Sequence, residues 1–229
     1  MKHQTYFNWS SGKDASMGLY HLQNSGKYEV SLLSTSINEE LDRVTMHGLR
    51  RSLLERQADS LGIPLRLIKL PLNTDMETYG KLMEKEINHL KQNGYTHAAF
   101  GDIFLEDLKA YRDKMLAEVN IEGVYPIWKK DTKELALELI ELGFKAKLVC
   151  INNDLLDDSF LGATIDHEFL DRLPKNVDPC GENGEFHTFC YDGPIFNQPV
   201  YFEEGDVVTR EYPAPNENGN VTFKFLDLI

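Results

Sequence analysis

A Ser/Gly/Lys/Asp cluster directly behind an apolar run, in Thr5-Tyr-Phe-Asn-Trp-Ser-Ser-Gly-Lys-Asp14, is the part of this chain best equipped for chemistry. The pattern predicts a strand that turns at once into a helix. Amides at such a turn lack intrahelical partners and sit at the positive end of the helix dipole, and the Lys13 ammonium adds a full charge. Ser10, Ser11, Gly12, Lys13, Asp14 and Ala15 therefore suit the phosphates of a nucleotide. A Walker loop is excluded, because Phe7 and Asp14 stand where it needs glycine and Ser or Thr. A dinucleotide fingerprint fails as well, having one glycine where three are needed. The competing reading is an ordinary helix start with a serine cap.

Ligands of open parallel sheets bind at the carboxyl ends of the strands, which selects two further sets of residues. Ser34, Thr35 and Ser36 end the second predicted strand and are small enough for an adenine and ribose to lie against the backbone. Gly101 and Asp102 end the fourth, with Asp102 placed to hold Mg²⁺ together with Asp14, or merely to cap a helix. His47, near the start of the next helix, is placed to approach a phosphate or the adenine. The segment Val177-Asp-Pro-Cys-Gly-Glu-Asn-Gly-Glu-Phe-His-Thr-Phe189 reads as an irregular loop rich in glycine and acid. Glu182 and Glu185 offer metal ligands or an acid–base pair, and Thr188 offers a hydroxyl. The alternative is a solvated acidic turn. Cys180 with His47 and His187 lacks the spacing of a metal site.

Taken together, these motifs resemble those of the diphthine–ammonia ligase family of PP-loop ATP pyrophosphatases, in its bacterial form. Ser10-Ser-Gly-Lys-Asp-Ala15 stands for that family's Ser-Gly-Gly-Lys-Asp-Ser turn, and Glu182-Asn-Gly-Glu-Phe-His-Thr188 for its Glu-Gly-Gly-Glu-Phe/Tyr-Glu-Thr motif. Ser11, Ala15, Asn183 and His187 depart from the pattern. Val44-Thr-Met-His-Gly48, Gly101-Asp-Ile103 and Ser159-Phe-Leu-Gly162 also have counterparts, so the resemblance spans about residues 4 to 196. It implies that ATP and Mg²⁺ bind at the first turn and that a carboxylate, on a small molecule or a protein side chain, is adenylated with loss of pyrophosphate. Ammonia then converts the acyl-adenylate to an amide and AMP. Lys13, Glu182 and Glu185 would be the catalytic residues, the two glutamates lying over the acyl end. Two other readings stay open, a tRNA-modifying PP-loop enzyme and a sensor that binds ATP or AMP without cleaving it.

The elements expected to position these residues alternate through about residue 151. Strands are predicted at Gln4–Trp9, Tyr28–Thr35, Leu65–Leu70, Thr96–Phe100, Gly123–Ile127 and Ala146–Ile151, the alternation of a parallel α/β sheet of five or six strands. Between them run amphipathic helices: one with the stripe Leu54, Ala58, Leu61 ending at Gly62, one opened by a Thr74–Glu77 capping box, one opened by Asp131 and Glu134. Beyond residue 151 proline and glycine become frequent. Asp166–Leu173 is the one clear helix there, and Gln198–Phe202, Asp206–Tyr212 and Val221–Leu226 read as antiparallel strands. The expected architecture is a Rossmann-like nucleotide-binding domain over residues 1–127 and a smaller mixed α+β substrate domain over 128–229.

Composition narrows the class. The 229 residues are 41% hydrophobic and 27% charged, as in globular proteins, and hold no apolar run of membrane-spanning length. Three widely spaced cysteines form no Cys-x-x-Cys pair, which fits a reducing cytoplasmic setting. The net charge of −13 disfavours nucleic acid as a partner, and Arg50, Arg51 and Arg56 read as a solvated face. A homodimer is the default expectation, which no motif specifies.

Overall fold

A computed structural model describes residues 1–45, 48–213 and 219–229. Five parallel strands make the first sheet: β1 (His3–Asn8), β2 (Tyr28–Asn38), β4 (Leu65–Leu70), β5 (His97–Ala99) and β6 (Glu122–Val124). Their order is β4-β2-β1-β5-β6, the nucleotide-binding α/β order in which the chain reverses direction between β1 and β5. A short β3 (Arg43–Val44) pairs antiparallel with the far end of β2. The connecting helices are α1 (Lys13–Asn24), α2 (Arg51–Leu61), α3 (Met76–Gln92) and α4 (Glu106–Glu118).

Helix α5 (Thr132–Glu141) leads to a second, antiparallel sheet of β7 (Lys145–Asn152), β8 (Phe186–Asp192), β9 (Glu204–Pro213) and β10 (Asn220–Leu228), in the order β8-β7-β10-β9. A 3-10 turn at Asp158–Phe160 and helix α6 (His167–Arg172) lie between β7 and β8. The expected strand at Ala146–Ile151 forms, but in this second sheet; both its faces are covered, so its apolar run does not distinguish the two settings. Gln198–Phe202 is not a strand. The tail of the acidic loop, read as irregular, is β8 from Phe186 onward.

Local chemistry sets the helix ends. Asp75, not Thr74, caps α3 by accepting the Thr78 amide, and Asp131 caps α5 by accepting that of Glu134. Gly62 ends α2 in the left-handed conformation (φ 67°) that glycine adopts without strain.

The two sheets share a core. Phe7, Trp9, Leu19, Leu33, Leu53 and Leu54 from the first pack in one cluster with Val149, Phe189, Leu226 and Leu228 from the second. Asp227 on β10 accepts hydrogen bonds from both Arg43 and Arg50. Burial would raise its carboxyl pKa, but the hydrogen bonds from Arg50 and Arg43 win and hold it at about 2. Because the sheets are joined by core and by this clamp, residues on β8 have a fixed place over the end of β1.

Among the described residues, no helix is long and apolar enough to cross a membrane. Cys150, Cys180 and Cys190 are all buried and free.

Candidate functional site

The first turn after β1 is held from three sides. Ser11 carries φ 74°, a left-handed conformation that costs a residue with a Cβ about 1 kcal/mol. Its carbonyl accepts hydrogen bonds from Gln57 Nε2 (3.0 Å) and the Cys190 amide (2.9 Å), while its buried hydroxyl has no partner among the described residues. The Lys13 amide donates to the Thr188 hydroxyl oxygen (3.1 Å). Thr188, on β8, therefore anchors the turn. Gln57 also bonds the Cys190 carbonyl (2.5 Å) and accepts from the Trp9 indole (3.0 Å), tying β1, α2 and β8 at one buried point.

A glycine at position 11 relieves both the strained φ and the unpaired hydroxyl, against an unfolded-state entropy cost of about 0.5–1 kcal/mol. Ser11→Gly is expected to stabilise the protein by about 1 kcal/mol, read as a higher urea midpoint with unchanged m-value. A lower midpoint would show that the hydroxyl has a partner in solution.

The turn brings its side chains against the loop that precedes β8. Lys13 is almost fully buried; its ammonium lies 2.6 Å from the Asp14 carboxylate and donates to the Cys180 carbonyl. Burial would lower the Lys13 pKa, but the charges of Asp14 and its acidic neighbours raise it instead, so the amine stays protonated. Gly101 packs directly on α1: a Cβ there would stand 2.8 Å from the Asp14 and Ala15 backbone, so only glycine lets β5 end this close to the turn. Next to it, Asp102 pairs with Arg112 of α4, whose guanidinium also lies 4.6 Å from the centre of the Phe100 ring.

The acidic loop is shaped by two of its own carboxylates. Asp178 accepts the Cys180 amide (2.8 Å) and the Thr132 hydroxyl (2.7 Å). Glu185, almost fully buried, accepts the Asp178 amide (2.9 Å), the Asn183 amide (2.8 Å) and the Asn183 side chain (3.0 Å). Glu182 is different, because its carboxylate lines the cavity with one oxygen buried and unpaired among the described residues. Burial, and then the charge of Asp14, push its pKa up to about 7. His187 is driven the other way, to about 4, by burial and the Lys13 charge, and stays neutral at physiological pH.

Two adjoining cavities result. One, of about 410 Å³, is lined by Ser10, Lys13, Asp14, Ala15, Gly101, Asp102, Glu182, His187 and Thr188. The other, of about 420 Å³, is lined by Ser34, Thr35 and Ser36 from the end of β2, by Tyr6 of β1, and by Tyr79, Met83, Ile87 and Met115 from α3 and α4. Asn8, Ser10, Phe100 and Arg112 line both. A larger open hollow of about 1250 Å³ lies at the amino end of β4, among Arg51, Asp59, Gly62, Arg66 and Asn93, away from every residue above.

The expected site residues are thus gathered at the carboxyl ends of β1, β2 and β5, with three qualifications. Ser11 and Gly12 shape the turn without lining either cavity, and Glu185 organises its loop instead of reaching into the cavity. His47 lies outside the described residues. Sequence reasoning missed Arg112, on a helix whose only buried residue is Leu116 and which shows no clear apolar stripe. It missed Gln57 too, although a glutamine among Leu53, Leu54, Ala58 and Leu61 on a buried face is a visible signal.

For Mg²⁺ the donors fit by type: Asp14 and Asp102 are hard oxygen ligands lining one cavity, and burial raises the pKa of each. Among the described residues no group of three or more His, Cys, Asp or Glu is arranged to hold a metal ion. The protein would supply these two carboxylates, with phosphates and water completing the shell.

Fold and site together define an α/β protein of the nucleotide-binding type with a lysine-bearing turn facing a carboxylate-rich cavity. The chain belongs to the diphthamide synthase family: residues 3–123 match its N-terminal domain and residues 131–211 its C-terminal domain. It is 24% identical to the diphthine–ammonia ligases of Homo sapiens and Danio rerio, covering 90% of this chain and 85% and 88% of theirs. A tRNA thiolase from Methanococcus maripaludis aligns over 62% of this chain and 57% of its own, with 16% identity and a TM-score of 0.37. That likeness is too low to transfer fold or chemistry.

Proposed function

We propose that the protein is an ATP-dependent ligase that adenylates a substrate carboxylate and joins it to ammonia. The observation that carries this reading is the pair of cavities meeting at Ser10 and Arg112, one half apolar and of nucleoside size, the other lined by Lys13, Asp14, Asp102 and Glu182. The name borne by the relatives points the same way.

In this reading the adenine and ribose lie between the β2 end and the Tyr79–Met115 wall, and the phosphates run past Ser10 toward Lys13. A carboxylate oxygen of the substrate attacks the α-phosphorus, and the bond to the bridging oxygen of pyrophosphate breaks. Ammonia then attacks the acyl carbon, loses a proton, and AMP departs. Lys13 stabilises charge building on the departing pyrophosphate, while Mg²⁺ held by Asp14 and Asp102 would neutralise phosphate charge. Glu182, which lines the cavity and has a pKa of about 7, is suited to take the proton from ammonia.

Large nucleic acid is the weaker partner. Arg50 is paired with Asp227 and Arg51 with Asp42 and Glu55, while Arg56 bonds the Tyr201 carbonyl, so two of the three cations of this basic cluster are ion-paired within the chain. The deciding experiment is product analysis with ATP, Mg²⁺, ammonium and a pool of cellular carboxylates and peptides. AMP and pyrophosphate are expected. ADP and phosphate would overturn the reading, and tight ATP binding without cleavage would make the protein a sensor.

A further inference from the structure

Strand β9 is the open edge of the second sheet, paired on one side with β10 and on the other with nothing among the described residues. Nine of its ten residues are exposed, Val207, Val208 and Tyr212 among them at 54%, 44% and 42%. Natural edges are usually blunted by lysine, internal proline or inward charge. Between Glu204 and Tyr212 this one has no lysine and no proline. It is also propped from behind: Tyr212 packs edge-on against Phe223, and Arg210 lies 5.9 Å from the centre of the Phe225 ring.

The charges on this edge are arranged for a copy of itself. Asp206 and Arg210 stand four residues apart, about 13 Å along a strand, too far to meet each other. Among the described residues neither takes part in an ion pair, while 13 other lysines and arginines do. Both are equidistant from Val208. In an antiparallel pairing of two β9 strands about Val208, each Asp206 falls opposite the other copy's Arg210, Val208 faces its own mate, and Glu204 faces Tyr212. A slip of one residue would destroy both charge pairs and turn the faces over, so the register is specified.

We propose that two copies of the chain join the edges of their second sheets through β9, antiparallel and centred on Val208, making one continuous eight-stranded sheet. The two Asp206–Arg210 contacts select a second copy over an unrelated strand and give association a local attraction against the net charge of −13 on each chain. The assignment stands apart from the proposed ligase activity, since no residue of β9 lines either cavity.

Sedimentation velocity on the whole protein tests it. The wild type is expected to be a dimer. D206R puts arginine opposite arginine at both contacts and should raise the dimer dissociation constant on the order of tenfold or more. The swap D206R/R210D restores opposite charges in the same register and should restore the dimer. Independently, V208C should form an intersubunit disulfide on mild oxidation, because cross-strand Cα atoms lie about 4.5–5.5 Å apart, within disulfide reach. The native cysteines are buried and will not compete. A monomeric wild type, a dimer indifferent to D206R, or a swap that fails to rescue would overturn the proposal.

Discussion

Lys13→Met will abolish AMP formation, by about 10²–10³-fold if removing one preorganised charge from the departing pyrophosphate is its main effect. The substitution keeps an unbranched side chain only one atom shorter, so α1 and its packing survive, but it also leaves Asp14 without its partner at 2.6 Å. Burial already raises the Asp14 pKa and Lys13 opposes that rise, so without the lysine the carboxyl moves further toward its neutral form. A stability loss of about 1–3 kcal/mol should accompany the loss of activity. The two effects separate in the double variant K13M/D14N, where position 14 no longer carries an unpaired charge: stability should return toward the wild type while AMP formation stays lost. Denaturant titration and nucleotide chromatography on the same samples give both readouts. If K13M cleaved ATP at the wild-type rate, Lys13 would be a structural cation and the turn no phosphate site.

What the sequence disclosed of this site depends on how local the relevant physics is. The Ser10–Asp14 turn was legible because a strand, a glycine and a cation in five consecutive residues suffice to define it. Its departures from the family pattern were not legible as strained or harmless until φ was known. Ser11 occupies a left-handed position that favours glycine, whereas Asn183, replacing another glycine of the pattern, is not among the residues at positive φ. Gly184 beside it is, at 84°, and it is the glycine retained. Long-range partners were the blind spot. Glu182 and Glu185 look alike in sequence, three apart in one acidic loop, yet the fold turns Glu185 onto the Asp178 and Asn183 amides and Glu182 into the cavity. Likewise the parallel alternation ends at β6, but β7 is as apolar as a parallel strand because α-helical and sheet neighbours cover both its faces, so its sheet could not be assigned from pattern.

The contrast between those two glutamates has a measurable consequence in pH. The Glu182 pKa rises from 4.5 to about 7 on folding, first through burial and then through Asp14. Below about pH 4.5 the group is protonated in both folded and unfolded chains and contributes nothing. Between 4.5 and 7 the unfolded chain has released the proton and the folded one has not, so stability falls as pH rises. The full loss is about 3 kcal/mol for a shift of this size, an upper figure for a group that lines an open cavity. In E182Q that slope disappears. The wild type should therefore lose stability relative to E182Q across this window, the variant being the more stable above about pH 7. Turnover should show the opposite sign: if the carboxylate takes the proton from ammonia, the wild-type rate climbs through about pH 7 to a plateau, and E182Q is slower by about 10²-fold or more without that limb. E185Q distinguishes a base from a loop anchor, since it should lower stability by weakening its three hydrogen bonds while leaving the position of the pH–rate limb unchanged. A stability difference between wild type and E182Q that does not vary with pH would mean the Glu182 carboxyl is hydrated and ordinary, and the proton would need another acceptor.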